Sequence, residues 1–173
     1  MKLTKTEENA MAKINGFVKT LCQEKISMEI GEPTLCGQTE TPKGVSYRFK
    51  SDVLNMPKGL GWFLRLVNIS YNISSTGNGF ILYTLEMSFQ HVEGGNNGWK
   101  LPVGDFEFSQ NGELLTKGEY RPFSDVKIEE TIILYGTKYK KIAEDDYPNL
   151  KVIEGPRKGE NFYISALDLV LVP

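Results

Sequence analysis

The strongest constraint in this chain is a step-of-two apolar pattern that runs through residues 62–74 and resumes over 80–92. A period of two is that of a β-strand with one face buried. Trp62, Leu64 and Leu66 share one parity. Val67, Ile69, Tyr71 and Ile73 share the other, with Asn68, Ser70, Asn72 and Ser74 between them. The apolar phase therefore flips at Leu66–Val67, as a single extra residue in a strand would make it do, and this predicts a β-bulge or a local twist. Ser75–Gly79 breaks the pattern with two glycines and an asparagine. Ile81, Tyr83, Leu85, Met87 and Phe89 then alternate with Leu82, Thr84, Glu86, Ser88 and Gln90. If Ile73 faces Ile81, then Tyr71 faces Tyr83, Ile69 faces Leu85 and Val67 faces Met87. Every pair on that face is apolar, so the pattern predicts a long antiparallel hairpin in this register as the spine of the fold.

Residues 4–23 read as a helix. Thr4 followed by Glu7 is a capping box, in which each side chain answers an orphan backbone amide. Ala10, Met11, Ile14, Phe17, Val18, Leu21 and Cys22 recur at three- and four-residue steps and form one apolar stripe. Gly16 inside this helix costs about 1 kcal/mol relative to alanine, which predicts close packing against another backbone there. The stripe needs a partner surface, and the strands supply it.

Elsewhere the dominant period is again two. Ile26, Met28 and Ile30 read as one strand, and Val45, Tyr47 and Phe49 as another, with a loop from Gly31 to Gly44 between them. Val92–Gly104 reads as a Gly/Asn-rich loop. Residues 105–117 read as a second hairpin around Asn111-Gly112, the strongest two-residue turn signal. Residues 126–135 fit a strand, because Thr131, Ile132, Ile133 and Tyr135 are β-formers. Tyr139–Asp146 fits a short helix or a loop equally well. Leu150–Ile153 and Phe162–Val172 read as the final strands, around a turn at Gly155–Gly159. Leu167, Leu169 and Leu171 occupy one parity of the last strand, and Val170 and Val172 the other, so it should be central or covered on both sides. The expected fold is one α+β domain over residues 1–173. It has a twisted, mostly antiparallel sheet of about seven or eight strands, open or partly closed into a barrel, with the N-terminal amphipathic helix packed on one face.

Composition removes several classes of function. A chain of 173 residues buries about 70% of its unfolded surface without a metal or disulfide staple. The net charge of −2 provides no general basic field for duplex DNA. Residues 1–10 are polar and lack the apolar core of a signal peptide. No apolar run approaches the ~20 residues that span a bilayer. Asn68-Ile69-Ser70 and Asn72-Ile73-Ser74 match the glycosylation sequon but read as polar strand positions. Cys22 and Cys36, the only cysteines, are expected to be reduced thiols in a cytoplasmic protein.

No complete catalytic or cofactor motif is present, so no cofactor and no metal is expected. His91 is the only histidine, and the three Cys and His residues together fall short of a structural zinc site. Glu86, Glu93, Asp105 and Glu107 lie near the hairpin ends without a spacing that marks an acid–base pair, and Glu86 has the parity of a solvated face. Glu144-Asp145-Asp146 lacks the alternating acids of a calcium loop. Gly155-Pro156-Arg157-Lys158-Gly159 lacks the spacing and the following helix of a phosphate loop. Lys138-Tyr139-Lys140-Lys141 interleaves base with aromatic, as single-stranded nucleic-acid surfaces do, but the acids after it dilute its field.

The remaining candidate is an aromatic and glycine-rich rim. It comprises Trp62 with Gly94, Gly95, Asn96, Asn97, Trp99 and Lys100, expected as a partner-binding loop at one end of the spine hairpin. The leading expectation is a non-enzymatic, cytoplasmic protein that binds another protein, as an inhibitor, an immunity-type protein or an accessory factor of a bacterium or phage. One alternative is a small-ligand or enzymatic pocket between helix and curved sheet, using His91 and a carboxylate. The other is single-stranded nucleic-acid binding.

Overall fold

The computed structural model describes residues 2–55, 64–91, 96–101, 106–134, 136–166 and 168–173, and among these it omits the side chains of 26, 64, 65, 84, 91 and 96–101. Helix α1 spans Lys5–Ile26. Its capping box forms as the sequence requires: Glu7 N–H donates to Thr4 Oγ1 at 3.2 Å, and Thr4 N–H donates to Glu7 Oε2 at 2.8 Å. The helix ends where Ser27 turns left-handed (φ 52°) and Met28 N–H donates to the Cys22 carbonyl at 3.0 Å. The strand expected at Ile26, Met28 and Ile30 is therefore not formed. Ile26 lies one helical step of four beyond Cys22, and three alternating residues are too few to oppose a growing helix. Met28 and Ile30 are still buried, and Ile30 makes a single bridge to Val53.

The first sheet contains β1 (Thr34–Thr41), β2 (Gly44–Asp52), β3 (Leu64–Thr76), β4 (Gly79–His91), β5 (Asn96–Leu101) and β6 (Phe106–Ser109). Its order is β1-β2-β3-β4-β5, with β6 also pairing with β4. β1 lies inside the span expected to be a loop, which shrinks to a turn at Pro42-Lys43. The signal was hidden because β1 is a half-exposed edge strand, and such a strand needs no apolar alternation to pair.

The spine hairpin of β3 and β4 forms, but in a different register. Ile69 faces Met87 rather than Leu85, and Tyr71 faces Leu85 rather than Tyr83. The bulge expected at Leu66–Val67 is present, since Leu66 faces Phe89 while Asn68 faces Ser88. A second bulge was concealed. Tyr71 faces Leu85 and Ile73 faces Leu82, which leaves Tyr83 and Thr84 opposite the single residue Asn72. A tight turn at Gly77-Asn78 closes the hairpin at Thr76 and Gly79, and the two bulges then keep apolar residues inward on either side. Leu82 is fully buried as a result, and Tyr83 is 42% exposed.

The second sheet contains β7 (Glu119–Pro122), β8 (Thr131–Leu134), β9 (Thr137–Lys141), β10 (Leu150–Val152), β11 (Asn161–Phe162) and β12 (Leu169–Val172), in the order β11-β10-β9-β8-β12-β7. The architecture is α+β, with two six-stranded antiparallel sheets instead of one sheet of seven or eight strands, and neither sheet closes into a barrel. Residues 139–141 belong to β9 and are neither helix nor loop. The second arm of the 105–117 hairpin is reduced to one bridge, Phe108 to Leu114, and Leu114 and Leu115 are exposed. The stretch 162–172 divides into β11 and β12. β12 meets its expectation, lying between β8 and β7 with all four residues buried. Leu169 and Leu171 join the core under α1, while Val170 and Val172 join Phe123, Val126, Ile132, Leu134 and Leu150.

The helix stripe packs on the inner face of the first sheet, against Tyr47, Phe49, Ile69, Tyr71, Ile73, Leu82 and Leu85. Two phenols tie it down. Tyr47 donates to Glu7 Oε1 at 3.0 Å and Tyr71 to Asn15 Oδ1 at 2.6 Å. Burial, followed by the Glu7 carboxylate, pushes the Tyr47 phenol up to about 12. Phe17 meets Phe106 and Phe108 edge-on.

Two glycines give opposite expectations. Gly112 closes the turn after β6 at φ 79°, and a Cβ there would lie 2.5 Å from the Ala10 carbonyl oxygen. Gly112→Ala should lower the unfolding free energy by about 2 kcal/mol or more in urea titrations. Gly16 has nothing within 4 Å of a Cβ position, so the close packing expected there is absent. Gly16→Ala should raise stability by about 0.5–1 kcal/mol in the same titration.

Candidate functional site

Of the residues expected to form the partner-binding rim, Trp62, Gly94 and Gly95 lie outside the described residues. Asn96, Asn97, Trp99 and Lys100 are strand residues, on β5, facing Gln90, Phe89, Met87 and Glu86 of β4. This corrects the loop expected over 92–104 within 96–101, while 92–95 and 102–104 lie outside the described residues. The backbone amides of 96–101 pair with β4 although the side chains alone give no strand pattern.

His91 ends β4 opposite Leu64. Glu86 is half-buried on the outer face, Glu107 is exposed on β6, and Glu93 and Asp105 lie outside the described residues. Among the described residues no group of three His, Cys, Asp or Glu converges as a metal site. Both cysteines are free, and burial pushes the Cys22 thiol up to about 12, whereas Cys36 is exposed on β1.

The basic run on β9 is paired throughout. Lys138 meets Glu154 at 3.0 Å, Lys140 meets Glu129 at 3.1 Å and Lys141 meets Glu144 at 2.6 Å. Lys141 is fully buried and also donates to the carbonyls of Phe123 (3.2 Å) and Val126 (2.8 Å). It holds a backbone turn, as buried charges do when they find enough acceptors. Arg157 pairs with Glu160 and lies over the Phe162 ring at 4.7 Å.

Two neighbouring clefts form a groove between α1 and the chain entering β1. One cleft of about 560 Å³ is lined by Thr20, Gln23, Glu24, Glu29, Ile30 and Leu54. A neighbouring cleft of about 390 Å³ is lined by Leu3, Glu8, Met11, Asn15, Pro33 and Phe49. Lys19 and Glu32 line both, and their ion pair spans the groove between them. Glu8, Glu24 and Glu29 carry no ion pair among the described residues, so the groove is acidic. It opens beside β1, the edge of the first sheet. β1 carries one charge, Glu40, and one irregularity, at Cys36, and among the described residues no strand pairs with its outer side. On this strand Gln38 Oε1 is buried and meets no donor among the described residues. Sequence reasoning missed this edge because β1 was read as loop. The threonines of Thr34–Thr41 were the available signal.

Compared with known protein families, curated proteins and solved structures, the chain matches none.

Asp168 gives a pH expectation. Burial raises its carboxyl to about 6, against the Ser165 N–H that donates to Oδ2 at 3.0 Å and favours the charged form. The folded state therefore holds this proton more tightly than the unfolded chain does. Stability should fall as pH rises from about 4 to about 6, and Asp168→Asn should flatten that part of the profile in thermal melts.

Proposed function

We propose that this chain is a non-catalytic binding protein that takes an extended, positively charged segment of another protein as an added strand along β1. The observation that carries the reading is the outer edge of β1, which pairs with no other strand among the described residues, lying beside an acidic groove. Strand addition draws affinity from main-chain hydrogen bonds, and pockets beside the edge read alternate side chains of the incoming segment. Leu54 (61% exposed) and the half-buried Pro33 offer apolar contact for such side chains. Glu8, Glu24 and Glu29 favour lysine and arginine and disfavour acidic competitors.

Peptides selected by display against the full chain should be basic and β-prone. Glu24→Lys with Glu29→Lys should weaken a selected peptide by about tenfold and flatten its salt dependence, with the melting temperature unchanged. Along β1 successive N–H groups point alternately toward and away from β2. Of Gln38→Pro and Thr39→Pro, one should therefore keep the fold and abolish binding. Selected peptides that are acidic, or that bind both proline variants normally, would contradict this reading.

A further inference from the structure

Gly16 stands in the middle of α1, where a glycine is a standing cost to stability. Close packing does not account for it, because among the described residues nothing lies within 4 Å of a Cβ built there. A departure from local preference is most often found where function requires it. The place of Gly16 fits that rule, since it lines the cleft of about 390 Å³ between α1 and the start of β1.

Glu8, Ala12, Asn15, Gly16 and Lys19 follow one another at three- and four-residue steps and form the flank of α1 that faces this cleft. Glu32 and Pro33, which lead into β1, form the facing wall. Met11 and Phe49 add buried apolar surface, and the half-buried Leu3 adds more. At the centre of the flank Ala12 and Gly16 are exposed and carry almost no side chain, whereas Glu8 and Lys19 at its ends carry long, oppositely charged ones. The cleft is therefore open at its apolar centre and charged at its rim.

The second cleft has a different chemistry. Glu24, Glu29 and Glu32 outnumber Lys19 there. The two clefts share Lys19 and Glu32, so they follow one another along the groove. A strand added along β1 turns alternate side chains, about 7 Å apart, to the α1 side of the sheet. Side chains of one parity thus meet first the apolar cleft and then the acidic one.

We propose, on the basis of the strand-addition reading, that the segment bound along β1 carries a large apolar side chain that seats over Gly16, with a lysine or arginine on the same face of its strand reaching Glu24 and Glu29. Gly16 is then a specificity-determining residue, and the side chain it lacks is the room the bound segment fills. One bulky anchor in a pocket with charged neighbours at the rim is the arrangement that concentrates affinity at protein interfaces.

Gly16→Leu tests this, because leucine is a strong helix former and would place its own side chain in the cleft. A peptide selected by display on the full chain should contain a large apolar residue. Gly16→Leu should weaken that peptide at least about tenfold in calorimetric titration, with the melting temperature unchanged or raised. Gly16→Ala should retain most of the binding. Replacing the large apolar residue of the peptide by alanine should remove its sensitivity to Gly16→Leu, a coupling that a general effect on the helix would not produce. Ala12→Leu, one turn earlier on the same flank, should act as Gly16→Leu does and decides the matter if Gly16→Leu is unstable. A peptide that binds both proline variants of β1 normally would overturn the strand-addition reading and this proposal with it. A peptide that loses binding to one proline variant, yet binds Gly16→Leu and Ala12→Leu as it binds the unaltered chain, would overturn this proposal alone.

Discussion

The rest of the structure depends on the burial of one helix stripe against one face of one sheet. Each large apolar side chain in that contact contributes about 1.5–3 kcal/mol when fully buried. The stripe from Ala10 to Cys22 is almost entirely inaccessible, as are its sheet partners Tyr47, Ile69, Tyr71 and Ile73. Tyr47–Glu7 and Tyr71–Asn15 fix the helix along and across the strands. Burying that face leaves the other one to solvent, and it leaves β1 at the margin, with no strand on its outer side among the described residues. The edge and the groove to which we assign binding are thus consequences of the same packing.

The second sheet is joined to this unit through β12. Its alternate residues belong to different cores, so it works as a shared wall and not as an attachment. Tyr120 stacks on Phe106 at 3.5 Å between ring centroids and extends the joint from β7 to β6. Lys141 supports the far side by holding the turn at Phe123–Val126. This arrangement explains why a basic run that resembles a nucleic-acid surface in sequence is occupied with internal pairing in the fold.

Strong periodicity was legible in the sequence. Helix α1 with its capping box, the bulge at Leu66–Val67, the spine hairpin and the two-faced β12 all follow from apolar spacing. What was not legible was set by pairing alone. β1 and β5 are polar edge strands whose order comes from neighbours; no apolar alternation announces them, and only the threonines of β1 favour a strand. The register of β3 on β4 was misread because an unbroken alternation over Ile81–Phe89 concealed the bulge at Tyr83–Thr84. Leu82 shows the cost of that reading, since it was placed on the polar side and is fully buried. Around Trp99 a strand stands where a loop was expected, for the same reason.

The central claim is that β1 is an open edge able to accept a strand. Residue-resolved hydrogen exchange over 34–41 addresses it directly. In the free protein, alternate amides of β1 should exchange fast while their neighbours, bonded to β2, exchange slowly. Adding a selected basic peptide should slow the fast set. Uniform protection of all these amides in the free protein would show that the edge is already covered and would contradict the account.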